Sequence, residues 1–465
     1  MINEEWTRLV TTDKPHPAET AFVAGYLGHA RDLPDRLAAY LAAHPEDPRA
    51  PAVKAIILVT LARAELLPMA RESAAEAHKR LMANTFSLRD AAFVEAAQQA
   101  SLGLWREAIR ALDRASFLDP EDALPVKMGH ALRFMLGDAA GMLSAVEESL
   151  SRMSLSNPHR GFLLGCKAFA LEENGHYGRA ELAGREGLSL RPDDAWGLHA
   201  VSHVHEMTGR VNEGIEWIEG HQETIRGANN FAGHLYWHLA LFHLEQDNAA
   251  KALALYDAEV RRERTDDFRD IANAASLLMR LELDGHPVGS RWEELADLAE
   301  KRMSDRILLF ADLHYALALM GAGRKTKALQ FARTIRDHRP GPFAQEAVWD
   351  AAGQRLGAGL AAFLEGDAQN AFEMLAPLSR PAQCLGGSHA QRDIIEQITV
   401  EAGLRAGAEQ AVRSRLLTRL SSRGGHNRFA ETRLARLLNR RSPGRGVLGL
   451  IAALTHGRDP AAHHA

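Results

Sequence analysis

A chain of 465 residues exceeds the usual domain of roughly 100–200 residues, so it is either several domains or one extended repeat array. Hydrophobic residues at 46% and charged residues at 25%, with 37 Gly and 18 Pro, exclude a disordered or collagen-like chain. A formal charge of −5 gives no field that would hold a polyanion or an anionic surface, so neither nucleic acid nor membrane is expected as a partner.

Cys166 and Cys384 are the two cysteines and form no CxxC pair, which points to a reducing compartment and hence the cytoplasm. The first residues carry neither a basic n-region nor an apolar h-region, and no window approaches about 18 apolar residues.

Ala, Leu, Arg and Glu recur at three- and four-residue spacings almost throughout, which predicts an all-α chain. From Leu104 to Leu118, one stripe carries Leu104, Ala108, Ile109, Leu112 and Ala115, and Asp119-Pro120 should stop the helix. A five-residue step then recurs: Gly103 to Ala108, Gly137 to Met142, Gly175 to Ala180, Gly209 to Gly214, Asp247 to Ala252, Gly323 to Ala328 and Gly366 to Ala371. From Gly103 to Gly209 the steps lie 34, 38 and 34 residues apart, the length of a tetratricopeptide hairpin. The expected fold is a right-handed α-solenoid of about 12–13 such hairpins with a concave inner face. Breaks are expected at residues 265–287 and 377–388, and a frayed tail from 444. Along the chain this divides into N-terminal hairpins (1–87), repeats carrying a histidine-rich groove (88–264), repeats with longer loops (265–380) and C-terminal hairpins (381–465).

His199 and His203 are four residues apart, so one helical turn puts both on one face, and Glu206 continues that face. His234 and His238 repeat the device one unit later. Setting Gly209 at unit position 15 places Trp196, His199, His203 and Glu206 at positions 2, 5, 9 and 12. Setting Asp247 there places His234, Trp237 and His238 at 2, 5 and 6. In the tetratricopeptide proteins that this pattern resembles, those positions line the groove, whereas His205 and His243 fall at a packing position and read as structural histidines. Phe310, Asp312 and His314 lie on a further inner helix. In the run from Gly386 to Asp393, Ser388 is a helix cap ahead of His389, Gln391, Arg392 and Asp393, and a Gly-Gly loop entering a helix also suits an anion. The zincin HExxH pattern is absent, as are the phosphate-loop, dinucleotide and nucleophile-elbow motifs.

The strings AFALEENGHYGRAE, DDAWGLHAVSHVHEMTGR, HLYWHLALFHLE, FADLHYALALMGAG and GGSHAQRD together resemble the tetratricopeptide repeat protein 38 family, over about residues 88–420. The resemblance implies an atypical tetratricopeptide solenoid and supplies a fold more than an activity. The chain departs from the pattern at Asn273, expected as Asp, at Ala311, and at Tyr236, expected as Trp.

Two functional readings follow. In the first, the groove binds, and acts on, a small polar molecule or short peptide. His199, His203, Glu206, His234 and His238 are then the candidates for catalysis, through acid–base chemistry or a divalent transition metal held by the four histidines. Trp196, Trp237, Phe310, Asp312, His314, His389, Gln391, Arg392 and Asp393 are the candidates for ligand binding. In the second, the solenoid is a non-catalytic scaffold that grips a segment of a partner protein, with Trp196, Trp237 and Phe310 as anchors.

Overall fold

All seven turn positions picked out by the five-residue step adopt a left-handed backbone, with φ between 61° and 83°. Six are glycine, which enters that region without the Cβ clash, and Asp247 is the one side chain that tolerates it. Each turn ends an inner helix and starts an outer one. The residue five positions on is buried in every case, because there the first turn of the outer helix presses against its partner. At Gly214 a Cβ would stand 2.3 Å from the ring of Phe242.

The structure is a computed structural model that describes residues 16–83, 86–339, 345–379 and 381–441. The tail expected to fray lies outside them. Among the described residues eleven helical hairpins succeed one another, from Pro17–Leu27 with Leu33–Ala43 to His389–Ala406 with Glu409–Ser422, and the helix Arg428–Arg441 follows them. The chain is thus an all-α solenoid, and no strand occurs among the described residues. No helix there is long and apolar enough to cross a membrane.

Inner helices such as Arg160–Glu173, Ala195–Met207 and Leu309–Gly321 are buried on nearly every side, and outer ones such as Trp105–Leu118 bury one stripe. Trp105–Leu118 does end at Asp119. One apolar core runs without interruption from Phe22 to Ile398.

The break expected at residues 265–287 is mostly helix: Phe268–Leu283 is a full inner helix, capped by Asp267, whose carboxylate accepts from the Arg269 N–H at 2.9 Å. Its polar residues look like loop in sequence but are satisfied from other units, as with Asp270, which accepts from Asn230 at 3.1 Å. The second break is real, with 3-10 turns at Ala376–Ser379 and Pro381–Leu385.

Both ends of the array turn back onto its middle. Ala30 pairs with Ala228 in an antiparallel bridge, and the Asn229 N–H donates to His29 O at 2.7 Å. Arg302 donates to both oxygens of Glu65 at 2.6 and 2.7 Å and also binds Asp266, to which Arg63 donates at 2.8 Å. From the other end, Asn427 donates to Glu245 at 2.7 Å and Arg433 to Asp284 at 2.5 Å. The helix His389–Ala406 packs directly on the inner helices Phe268–Leu283 and Ala195–Met207.

Candidate functional site

The helix Ala195–Met207 begins at Asp194, whose carboxylate accepts from the Trp196 N–H at 3.1 Å. It crosses Arg160–Glu173 at a glycine pair: a Cβ on Gly165 would lie 3.0 Å from the Gly197 Cα. That close crossing brings the end of one helix, Glu172 and Glu173, beside His203 on the other.

The four histidines of the two HxxxH pairs meet in one buried cluster, none more than 7% exposed. His199 Nε2 lies 2.8 Å from His203 Nε2 and 2.9 Å from His234 Nε2. One ligating nitrogen from each of the four falls within 4.8 Å of the others. On their outer sides, His234 Nδ1 donates to Asn273 Oδ1 at 2.9 Å and His238 Nδ1 to Glu206 Oε2 at 3.0 Å. Gln391 donates to the same Asn273 oxygen at 3.4 Å, which fixes the orientation of that amide. His203 Nδ1 faces Glu172 Oε2 at 3.6 Å. His199 Nδ1 and His238 Nε2 have no hydrogen-bond partner.

Burial, reinforced by neighbouring histidines, holds His199 and His203 well below the usual imidazole range, and burial lowers His234 to about 3. Burial pushes the Glu172 carboxyl up to about 7 against the opposing bond with His389. At Glu206 burial acts upward too, but the bond from His238 and the charge of Arg423 outweigh it and keep the carboxyl ionised.

His389 is the least enclosed member, with a side chain 32% exposed, and its Nδ1 lies 3.5 Å from both Glu172 and Glu173. His389, Glu172 and His203 thus form a chain of contacts from the half-exposed edge to the buried cluster. The helix start at Ser388 has the capping box expected of it, Ser388 and Gln391 bonding reciprocally. The anion at this N-terminus is internal: Glu173 accepts from the His389 N–H at 2.7 Å and from Arg392 at 2.8 Å. The Gly-Gly loop has a steric reason. A Cβ on Gly387 would meet the Phe310 ring at 2.4 Å, and one on Gly386 the Met135 carbonyl at 2.7 Å.

The remaining candidates divide. Asp393 joins Arg280, Arg419 and Arg423 around a polar cleft that Glu206 also lines, with a cavity volume of about 40 Å³. Burial alone would raise the Asp393 carboxyl, but Arg419 and Arg423 hold it far below the usual range. Asp312 pairs with Arg306 at 2.9 Å, and His314 Nδ1 donates to Phe310 O at 2.8 Å, so both are engaged within their own segment. Trp196, Trp237 and Phe310 were expected as anchors on an open groove; they are instead 8%, 0% and 2% exposed. Trp237 spends its indole N–H on Ser276 at 3.1 Å. His205 and His243 are buried, as their packing position implies.

Glu172, Glu173, Arg280, Arg419 and Arg423 escaped the sequence reading, and Asn273 entered it only as a departure from the family pattern. A signal existed for the first two: a Glu pair closing an apolar helix opposes the helix dipole and needs partners elsewhere. His29, stacked 4.7 Å from Phe231 and 5.6 Å from Trp196, left no such signal.

No family model matches the chain. Solved helical-repeat proteins are similar to it over most of its length. A human IFIT1 dimer with PPP-AAAA is 15% identical, covering 85% of this chain and 95% of that chain at a TM-score of 0.42. The Cut9–Hcn1 hetero-tetramer of APC/C is 10% identical, covering 87% and 75% at 0.41. The TPR domain of P58(IPK) is 11% identical, covering 77% and 100% at 0.22. The chain's own succession of paired helices makes it an all-α helical-repeat solenoid.

Proposed function

We propose that this protein works through the histidine–glutamate centre inside its repeat array, taking up a small polar species rather than gripping a protein segment in an open groove. The observation that carries this reading is the position of His389–Ala406, which lies over the inner helices where a partner segment would have to sit. A cleft of about 40 Å³ holds a few waters or a ligand of a few non-hydrogen atoms. Arg280, Arg419 and Arg423 offer it guanidinium donors, which a small anion would share with Asp393 and Glu206, and Glu206 joins that wall to His238. Glu206, held ionised by His238 and Arg423, is then a hydrogen-bond acceptor at the cleft. The finer family assignment, to the tetratricopeptide repeat protein 38 family, rests on the shared strings that contain all four histidines.

The test is calorimetric titration of the folded full chain with phosphate, sulfate, bicarbonate and short carboxylates, beside Arg423→Met and Glu206→Gln. Binding of one class, weakened at least tenfold in Arg423→Met, supports the reading. No binding of any of them by the folded chain overturns it.

A further inference from the structure

The outer nitrogens of the cluster are already committed. His234 Nδ1 donates to Asn273 and His238 Nδ1 to Glu206, so the Nε2 of each presents a lone pair to the interior. His199 Nε2 sits within 2.9 Å of two further Nε2 atoms. A neutral imidazole nitrogen carries either one proton or one lone pair. A single proton on His199 Nε2 points at one neighbour, leaves the other contact unsatisfied, and does nothing for the orphaned His238 Nε2. Buried polar groups are rarely left so, and four imidazole nitrogens within 4.8 Å of one another are satisfied together by a cation.

We infer that His199, His203, His234 and His238 bind one divalent transition metal of the zinc type through their Nε2 atoms. This rests on the centre proposed above and names its occupant. Neutral imidazoles are ligands for zinc and its neighbours and poor ones for magnesium or calcium. Metal–nitrogen bonds of about 2.0–2.1 Å place tetrahedral nitrogens about 3.3 Å apart, so the two short contacts of His199 open by about half an ångström and the other pairs, all within 4.8 Å, come to the same spacing. Metal-bound histidines characteristically donate their second nitrogen to a carboxylate or carbonyl oxygen. Glu206 and Asn273 fill that role here, and Glu172 stands opposite His203. Glu206, which accepts from His238, also supplies negative charge beside a site whose four ligands are neutral. The two HxxxH pairs come from adjacent units, so the metal would fasten one repeat to the next.

The experiment uses the full untagged chain, stripped with chelator and titrated with Co²⁺ and then Zn²⁺, with X-ray absorption of the loaded protein. The expected result is one ion per chain, visible bands of four-coordinate Co²⁺ that Zn²⁺ displaces, and a shell of nitrogens. His203→Gln with His238→Gln should lose the ion, and His205→Gln with His243→Gln should keep it, helicity being checked in each by circular dichroism. A folded wild-type chain that takes up no stoichiometric metal overturns the inference, as does a shell of oxygens alone. If the double variant fails to fold, the wild-type ligand shell decides. Anion titration of the metal-free chain is scored separately, so loss of the metal site and loss of the cleft reading are told apart.

Discussion

The His389 N–H donates to Oε1 of Glu173 at 2.7 Å, a bond between the first residue of one inner helix and the last of another 216 positions earlier. Arg392 holds the second oxygen of the same carboxylate at 2.8 Å, and both partners are buried. Breaking a buried pair from one side leaves the other charge stranded and costs about 3–5 kcal/mol. Glu173→Ala should therefore lower stability by about that much and loosen the helix His389–Ala406 first. Hydrogen exchange should show protection lost there before elsewhere; uniform loss along the chain would contradict this account.

Trp237 lies fully inside the core, so its truncation acts on stability. Trp237→Ala should cost about 3–5 kcal/mol, the usual range for emptying a large aromatic site. Urea denaturation measures it. A variant as stable as wild type, but deficient in capturing a partner, would restore the scaffold reading.

Gly387 has φ +75° and no room for a methyl group against Phe310. Gly387→Ala combines backbone strain of about 1–2 kcal/mol with overpacking of about 1–3 kcal/mol. A fall of the melting temperature by several degrees is expected, and an unchanged one would show that the loop moves freely off Phe310.

Burial lifts the Asp194 carboxyl to about 7, with Lys127 opposing; Cys166 and Asp193 are the other titratable neighbours. The folded state thus holds a proton that the unfolded chain, near the ordinary value of 3.8, gives up. The stability linked to this group is fully present below about pH 4 and is lost as pH rises towards about 7. Asp194→Asn keeps the acceptor for the Trp196 N–H and removes the titration. The variant should gain on wild type between about pH 4 and pH 7 and level off above that in denaturant unfolding, and parallel pH profiles would refute the assignment.

Local rules carried the repeat register a long way. A left-handed turn selects glycine, so counting from Gly209 and from Asp247 was enough to place His199, His203, His234 and His238 on one side of adjacent helices. The partners Glu206 and His238 were legible for the same reason. What lies across from that side was not. Glu172 meets His389 through a contact of 217 residues in sequence separation, and Arg280 meets Ala390 through one of 110. No periodicity encodes which distant helix folds over an inner face. The burial of Trp237 and Phe310 follows from that coverage, and so does the satisfaction of Asp270 and Asn273 on a segment that reads as loop.

Arg302 grasping Glu65 across 237 positions changes what kind of object the array is. An open solenoid is held together by nearest neighbours alone, so its ends peel and its melting can spread over stages. Fastening an early unit to the middle turns that line into a loop, in which no hairpin near the N-terminus can leave without releasing one in the centre. Cooperativity then belongs to these closures as much as to the repeats, and Arg302→Ala should broaden the thermal transition, less than would a variant that also lost the Arg63–Asp266 pair.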